Sequence, residues 1–300
     1  MESLAPDSMQ HQWVLDKGEC ALLAVFGDDK MIADTARVSY RKGTKQSSTD
    51  AQLIRYLLRN KHTGPFEHAS VRFYLKAPLF VIQQLLRHRT FKFNQASARY
   101  SEMLNEAYVP LPEHVTTQDA KNKQARTDIK VKDSHQIVEA MQAESDHNFT
   151  MYNSYLDEGV AREIARVNVP HGTYSEIIVT ADIHNLMHFL NLRLHAHAQY
   201  EIRVFAEAMR DMVAPLFPAT FAAFDDCILR SVTLTGQMQT GLTEVLDRLV
   251  AFGNYQTDED EERAKAYALD KAIASVGWHS KSEKDQFASW IGGLLSPVKE

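Results

Sequence analysis

Cysteine is nearly absent: the 300-residue chain has two, Cys20 and Cys227, far apart and in no CxxC pair. That excludes a disulfide framework and a cysteine-ligated zinc site, and it fits a reducing compartment, so a cytoplasmic protein is expected. No apolar run approaches the length of a membrane span. The opening MESLAPDSMQHQW has no basic stretch followed by an apolar one, so no signal peptide is expected. No GxGxxG occurs, and no internal repeat. Acidic residues are missing from one place: none falls between Glu67 and Glu102, where Arg72, Lys76, Arg87, Arg89, Lys92 and Arg99 lie. The whole chain carries a net charge of -6. One basic segment in a mildly acidic protein suits a small anionic ligand, with no nucleic-acid or membrane partner.

The rest is patterned like a globular protein. Ala51 to Asn60 has apolar residues at helical spacing, with Ser48, Thr49 and Asp50 as possible caps, and Lys61 to Gly64 reads as a turn. Ala69 to Lys76 alternates, with Val71, Phe73 and Leu75 on one strand face. Pro78 opens an apolar helix that ends in Arg87, His88 and Arg89. Thr90 to Tyr100 reads as a loop with a helical turn. Thr116 to Asp133 reads as a solvated helix or mobile insertion. Helices are expected over Ser134 to Leu156 and Ala161 to Val167, and a strand over His171 to Thr180. Asp182 caps a long helix running to about Met212, with a possible break, ended by Pro215 and Pro218. Further on, Leu242 to Phe252 is helical. Thr257 caps the acidic run DEDEE of another helix through Ala274. From about Asn254 the chain looks appended.

Arg87-His88-Arg89, then seven residues, then Ser97-Ala98-Arg99-Tyr100 is the strongest chemical signal. Cationic side chains favour a helix C-terminus in any case, so a capped helix with solvated arginines is one reading. The other is anion binding, since no acid lies near in sequence and a phosphate suits the guanidinium fork. Arg87 and Arg89 point apart on a helix, so they reach one target only if the helix ends there. In the helix from Asp182, Ile183, Leu186, Met187, Leu190 and Leu194 make an apolar stripe on which Arg193 and His197 also fall. Arg193 there either snorkels to solvent or has a buried partner. His184 and His188 lie on the opposite side. With His195 and His197 they share no face and no HExxH pattern, so no metal is expected. Ser97 alone reads as a cap or loop hydroxyl.

The run RHRTFKFNQASARYSEM closely resembles the defining motif of the flavin-dependent thymidylate synthases, the ThyX family. HTGPFEH (His62 to His68), KAPLFVIQQLLRHR, AREIARVNVP and DIHNLMHFLNLRLHAHAQYEIR resemble further family elements in the family's order, from about Val14 to Leu234. The resemblance implies an α/β protein of the α+β kind: a mostly antiparallel sheet with packed helices over 1–235, and a helical extension over 236–300. It implies a methyltransferase that makes dTMP from dUMP with methylenetetrahydrofolate as carbon donor and FAD reduced by NADPH. Homotetramers with active sites at subunit interfaces are implied as well. By the same resemblance Gln84, Arg87, Gln95, Ser97, Arg99, Arg166 and Arg193 hold dUMP, and Arg193 activates the uracil. Gly64, Arg87, His88, Arg89, Gln95, Asp182, His184 and His188 correspond to FAD-contacting positions.

The chain departs from the pattern at Gln95, where the family usually has Glu, and at Gly64, where a small polar residue is common. Phe91 and Phe93 make the loop bulkier. Neither cysteine has a context for nucleophilic attack on the base. A related enzyme that finishes with another one-carbon group, a non-catalytic nucleotide binder, and a nucleic-acid binder are the alternatives to set against this reading.

Overall fold

The computed structural model describes residues 5–39, 48–120, 122–251, 258–276, 284–285 and 287–291. Strands β1 (Gln10–Val14) and β2 (Gly18–Phe26) form a hairpin, followed by helices α1 (Asp29–Arg37) and α2 (Asp50–Arg59). A 3-10 turn over Gly64–His68 leads to β3 (Ser70–Pro78), α3 (Leu79–Leu85) and β4 (Lys92–Gln95). Then come β5 (Thr116–Gln118), β6 (Arg126–Lys130), α4 (Ser134–Asp157), α5 (Arg162–Ala165), β7 (Tyr174–Asp182), α6 (Ile183–Arg193), α7 (Tyr200–Val213) and α8 (Pro218–Phe224). This first compact unit ends at Arg230. A second, from Ser231, contains α9 (Gly236–Ala251) and α10 (Asp258–Ser275). Its own core is built from Met238, Val245, Ala272, Phe287 and Ile291.

The main sheet has the order β1-β2-β3-β7-β4, and every pairing is antiparallel. Val71, Phe73 and Leu75 of β3 are buried in one core with Ile177 and Val179 of β7 and with Leu186, Leu190, Phe205 and Met209 of α6 and α7. The other face of β3 is covered too. Tyr74 and Lys76 are buried, and Glu19, Lys76 and Glu176 lie side by side across three strands. Burying charge there requires partners. Lys76 Nζ meets Glu106 at 2.6 Å, and the Tyr74 hydroxyl donates to Glu176 at 2.9 Å.

Two helix starts follow directly from sequence. Thr49 and Gln52 close a reciprocal capping box on α2. The Asp182 carboxylate accepts from the Asn185 amide at 2.8 Å and starts α6. A third device spans the chain. Asp29 accepts from Ala219 N at 2.6 Å, Thr220 N at 3.0 Å and Thr220 Oγ1 at 2.6 Å. One carboxylate thus satisfies the first amides of α8 from 190 residues away. Asp29→Ala is expected to lower unfolding free energy by about 3 kcal/mol, the scale of lost hydrogen bonds to a partly buried charge. Urea denaturation checks this, and a shift below about 0.5 kcal/mol would contradict it.

Four expectations are corrected. Lys92–Gln95 is a strand, because its backbone completes the edge of β7 although its side chains carry no period. The 116–133 segment is a β-hairpin of β5 and β6, not a helix. The possible break in the long helix falls between Arg193 and Tyr200, and it takes His197 off the helical stripe on which it was expected. Pro218 begins α8 as a first-turn proline instead of ending a helix. The Thr257 cap lies outside the described residues. Among those residues no helix is long and apolar enough to cross a membrane.

Candidate active site

Helix α3 stops at Leu85, so the Arg87-His88-Arg89 run lies just beyond its end and its three side chains diverge. Arg87 and Arg89 are exposed, and their guanidinium groups have no hydrogen-bond or ion-pair partner among the described residues. His88 turns inward and is 7% exposed. Its ring lies edge-on to Phe189 at 4.8 Å and against Phe91 at 5.8 Å, with Phe93 behind Phe91 at 5.9 Å. The bulky phenylalanines of the loop are therefore the wall that seats His88.

Arg193, the last residue of α6, is half-buried, and its Nε donates to His88 Nε2 at 3.1 Å. The partner of the arginine on the apolar stripe is thus a neutral imidazole with its own proton on Nδ1. Burial, then the Arg193 charge, then His188 push the His88 pKa down to about 4. Burial also lowers the Arg193 pKa, though a guanidinium stays charged. A cation held by a neutral acceptor keeps its full charge for something else, and its other nitrogens are free to meet it. Nothing in the sequence spacing joins residues 88 and 193; only the fold does.

Gln84 and Arg87 line a cleft of about 600 Å³ with Phe80, Gln83, His171 and Gln199. Arg89 is not part of it. Gln84 Nε2 donates to Gln199 Oε1 at 2.6 Å, tying α3 to the start of α7. Gln199 and His171 are site residues that the sequence did not disclose. Gln95, at the end of β4, donates from Nε2 to Ser175 Oγ at 3.1 Å.

Ser97 and Arg99 lie on the next turn. Ser97 Oγ accepts from the Arg99 amide at 3.3 Å, so the loop-cap role suits this hydroxyl. Arg99 Nε pairs with Glu163 at 3.1 Å, and Arg162 with Glu102 at 3.6 Å. These two exposed pairs tie the 97–102 turn to α5. Arg166 follows α5 directly, and its side chain has no polar partner among the described residues. Ser97, Arg99 and Arg166 therefore share one neighbourhood, and among the described residues Glu163 is the acid on Arg99.

The remaining positions sit around the start of α6. Asp182 is occupied as its cap, and also accepts from Asn185 Nδ2 at 2.7 Å. His184 is half-buried and His188 exposed, with the His188 ring 6.3 Å from His88. Gly64 opens the 3-10 turn with nothing within 4 Å of where a Cβ would stand, so its backbone is open to close approach. The open backbone at Gly64 and the two imidazoles suit a flat polar ligand, and FAD is one. His195 and His197 stack at 4.9 Å on the segment between α6 and α7. Among the described residues no three His, Cys, Asp or Glu side chains converge to hold a metal ion.

Residues 21–219 match the family model described as thymidylate synthase complementing protein. A flavin-dependent thymidylate synthase from Ehrlichia ruminantium is 44% identical over 219 residues, 73% of this chain and 74% of the relative. One from Wolbachia pipientis is 42% identical over 247 residues, 82% of this chain and 86% of the relative. Among solved structures, the UMP/dUMP methylase PolB from Streptomyces cacaoi bound with 5-Br UMP is 35% identical. It superposes with a TM-score of 0.66 over 73% of this chain and 98% of its own.

Proposed function

Since the chain belongs to the flavin-dependent thymidylate synthases, we propose that it converts dUMP, methylenetetrahydrofolate, NADPH and a proton into dTMP, tetrahydrofolate and NADP⁺. The observation that carries the reading is Arg193, held at the end of α6 by His88 with its charge uncompensated. When bound, FAD supplies hydride transfer between the nicotinamide and the pyrimidine.

The chain's own residues bind and polarise. Ser97, Arg99 and Arg166 take the nucleotide phosphate, with Arg99 leaving Glu163 for a stronger anion. Gln84, Arg87 and Gln95 orient the sugar and base. Arg193 lies against the uracil and stabilises the negative charge that develops on it. Gly64, Arg87, Arg89, Asp182, His184 and His188 hold the flavin, and His88 supports the uracil site through Arg193. No protein nucleophile is needed, and Cys20 could not serve: it is fully buried, and burial pushes its thiol far above the usual range.

The protein works as a homotetramer in a reducing cytoplasm, with each site shared between subunits. Unpaired Arg87, Arg89 and Arg166 support sharing, as do exposed Ile164 and Val167 on either side of the α5 end. Purified protein given FAD, NADPH, methylenetetrahydrofolate and dUMP tritiated at C5 is expected to release tritium and form dTMP in equal amounts. Release without dTMP would indicate a different one-carbon product, and no release would defeat the proposal. A second reading, methylation of UMP, is favoured by the likeness to PolB. Tritiated UMP in the same assay separates the two.

A further inference from the structure

The β5–β6 hairpin encloses a second cavity, of about 560 Å³, against the segment from Ala196 to Arg203. None of the residues placed in the active site belongs to the hairpin. The geometry is ordered. Gln118 pairs with Arg126 across the two strands, and Asp128 lies two residues on, so these three side chains leave one face of the hairpin. Arg126 crosses to the main body. Its Nη1 meets Glu201 Oε1 at 3.2 Å, and its guanidinium lies 5.5 Å from the Tyr200 ring centre. Glu201 is 3% exposed and also accepts from the Tyr108 hydroxyl at 3.1 Å. The Arg203 guanidinium lies 5.8 Å from the same Tyr200 ring, and the His114 ring lies tilted against it at 4.3 Å.

Both signs of charge line this space. Arg126 is compensated by buried Glu201, whereas Arg203, among the described residues, meets the Tyr200 ring, a carbonyl at 3.3 Å and Glu207 at 3.7 Å. An anion gains most at Arg203. Glu113 and Asp128 accept hydrogen bonds, and the Gln118 and Gln124 amides both donate and accept. A ligand with a phosphate at one end and an amino-bearing ring at the other uses all of them. The volume lies in the range of small-molecule sites. Gln199 lines this cavity and also the Gln84–Arg87 cleft, so the two spaces share a wall.

We propose that the hairpin cavity binds the adenosine-phosphate part of a second nucleotide beside the Gln84–Arg87 cleft. Its phosphate lies on Arg203, and its base meets the glutamine amides and the Glu113 and Asp128 carboxylates. Two sources share this chemistry: the 2′-phosphoadenosine end of NADPH, and a free purine nucleotide. The first rests on the thymidylate synthase reading, and the second does not.

Calorimetry of the full chain with 2′,5′-ADP tests it. Binding to the wild type is expected, with affinity reduced about tenfold or more in Arg203→Gln, the scale of one charge-assisted hydrogen bond. Arg203 packs on Tyr200, so Gln124→Trp is a second variant: it fills the cavity from an exposed turn and should weaken binding similarly. A raised KM for NADPH in Arg203→Gln, with KM for dUMP unchanged, assigns the site to the dinucleotide. An unchanged KM for NADPH with 2′,5′-ADP binding lost assigns it to a free purine nucleotide. No binding to the wild type, or equal binding to wild type and both variants, overturns the proposal. The C5 tritium assay on the wild type reports separately whether the synthase reading stands.

Discussion

Arg193→Ala is expected to lower turnover by roughly 100- to 1,000-fold, the usual loss when one preorganised charge is removed from a developing anion. The reasoning is electrostatic. Arg193 sits half-buried at the end of α6, where charge interactions are screened less than in water. Its side-chain partner is a neutral ring nitrogen, so its charge is not cancelled in advance. Negative charge on the uracil grows towards the transition state, so the loss should fall mainly on kcat. Affinity for dUMP should weaken by less than about tenfold, because in the proposed binding mode the phosphate is held by Ser97, Arg99 and Arg166. Arg193→Lys should restore little: an ammonium has all its donors on one atom, which cannot sit both at the His88 ring nitrogen and where the Arg193 guanidinium tip reaches. Stopped turnover under single-turnover conditions, with calorimetric dUMP binding beside it, separates the two effects. An unchanged kcat in Arg193→Ala would remove the arginine from the chemistry.

His88→Leu is expected to lower kcat by about tenfold or more while His88→Gln keeps most of it. Leucine fills the pocket between Phe91 and Phe189 but leaves the Arg193 Nε without an acceptor. A glutamine carbonyl can reach the place of Nε2. Because His88 acts through Arg193, combining His88→Leu with Arg193→Ala should add little to the loss from Arg193→Ala alone. Additive losses would show that His88 acts elsewhere. The same buried imidazole gives a pH signature. Its folded pKa of about 4 lies below the ordinary 6.5, so in between the unfolded chain binds a proton that the native state does not. Stability from this group is complete above pH 6.5 and falls as pH drops through that window. The groups facing the ring are Arg193, His188, Phe91 and Phe189, and none is an acid that would reverse the sign. Urea midpoints taken from pH 7 to pH 4.5 should slope more steeply in wild type than in His88→Gln.

Much of the scaffold was legible because its signals are local. The Thr49 and Asp182 caps, the alternation of Val71, Phe73 and Leu75, and the apolar stripe of α6 each depend on a few neighbouring residues. The edge strand β4 was not legible. KFNQ has no period, and it becomes a strand because β7 offers an unpaired edge. The β5–β6 hairpin was hidden in the same way: its side chains are polar, and a register between Gln118 and Arg126 leaves no hydrophobic trace. The position of the break after Arg193 was not legible, since LRLHAHAQY holds no glycine or proline to stop a helix.

The sequence by itself determined the family, through its ordered motifs, and with it the antiparallel α+β fold and the cluster of basic residues without acids. It determined that neither cysteine has the setting of a nucleophile and that Arg193 falls on a buried stripe. Tertiary structure decided the partners. It turned His88 inward to hold Arg193 across 105 residues, joined Gln84 to Gln199, and tied Arg99 to the helix that precedes Arg166. It also set Arg126 of the hairpin on Glu201 and opened a cavity beside the cleft. The physical reason is range. Caps and periodicity act over one or two helical turns and can be read in order along the chain. Hydrogen bonds between side chains act over about 3 Å in space, and only the packed core fixes which distant residues come that close.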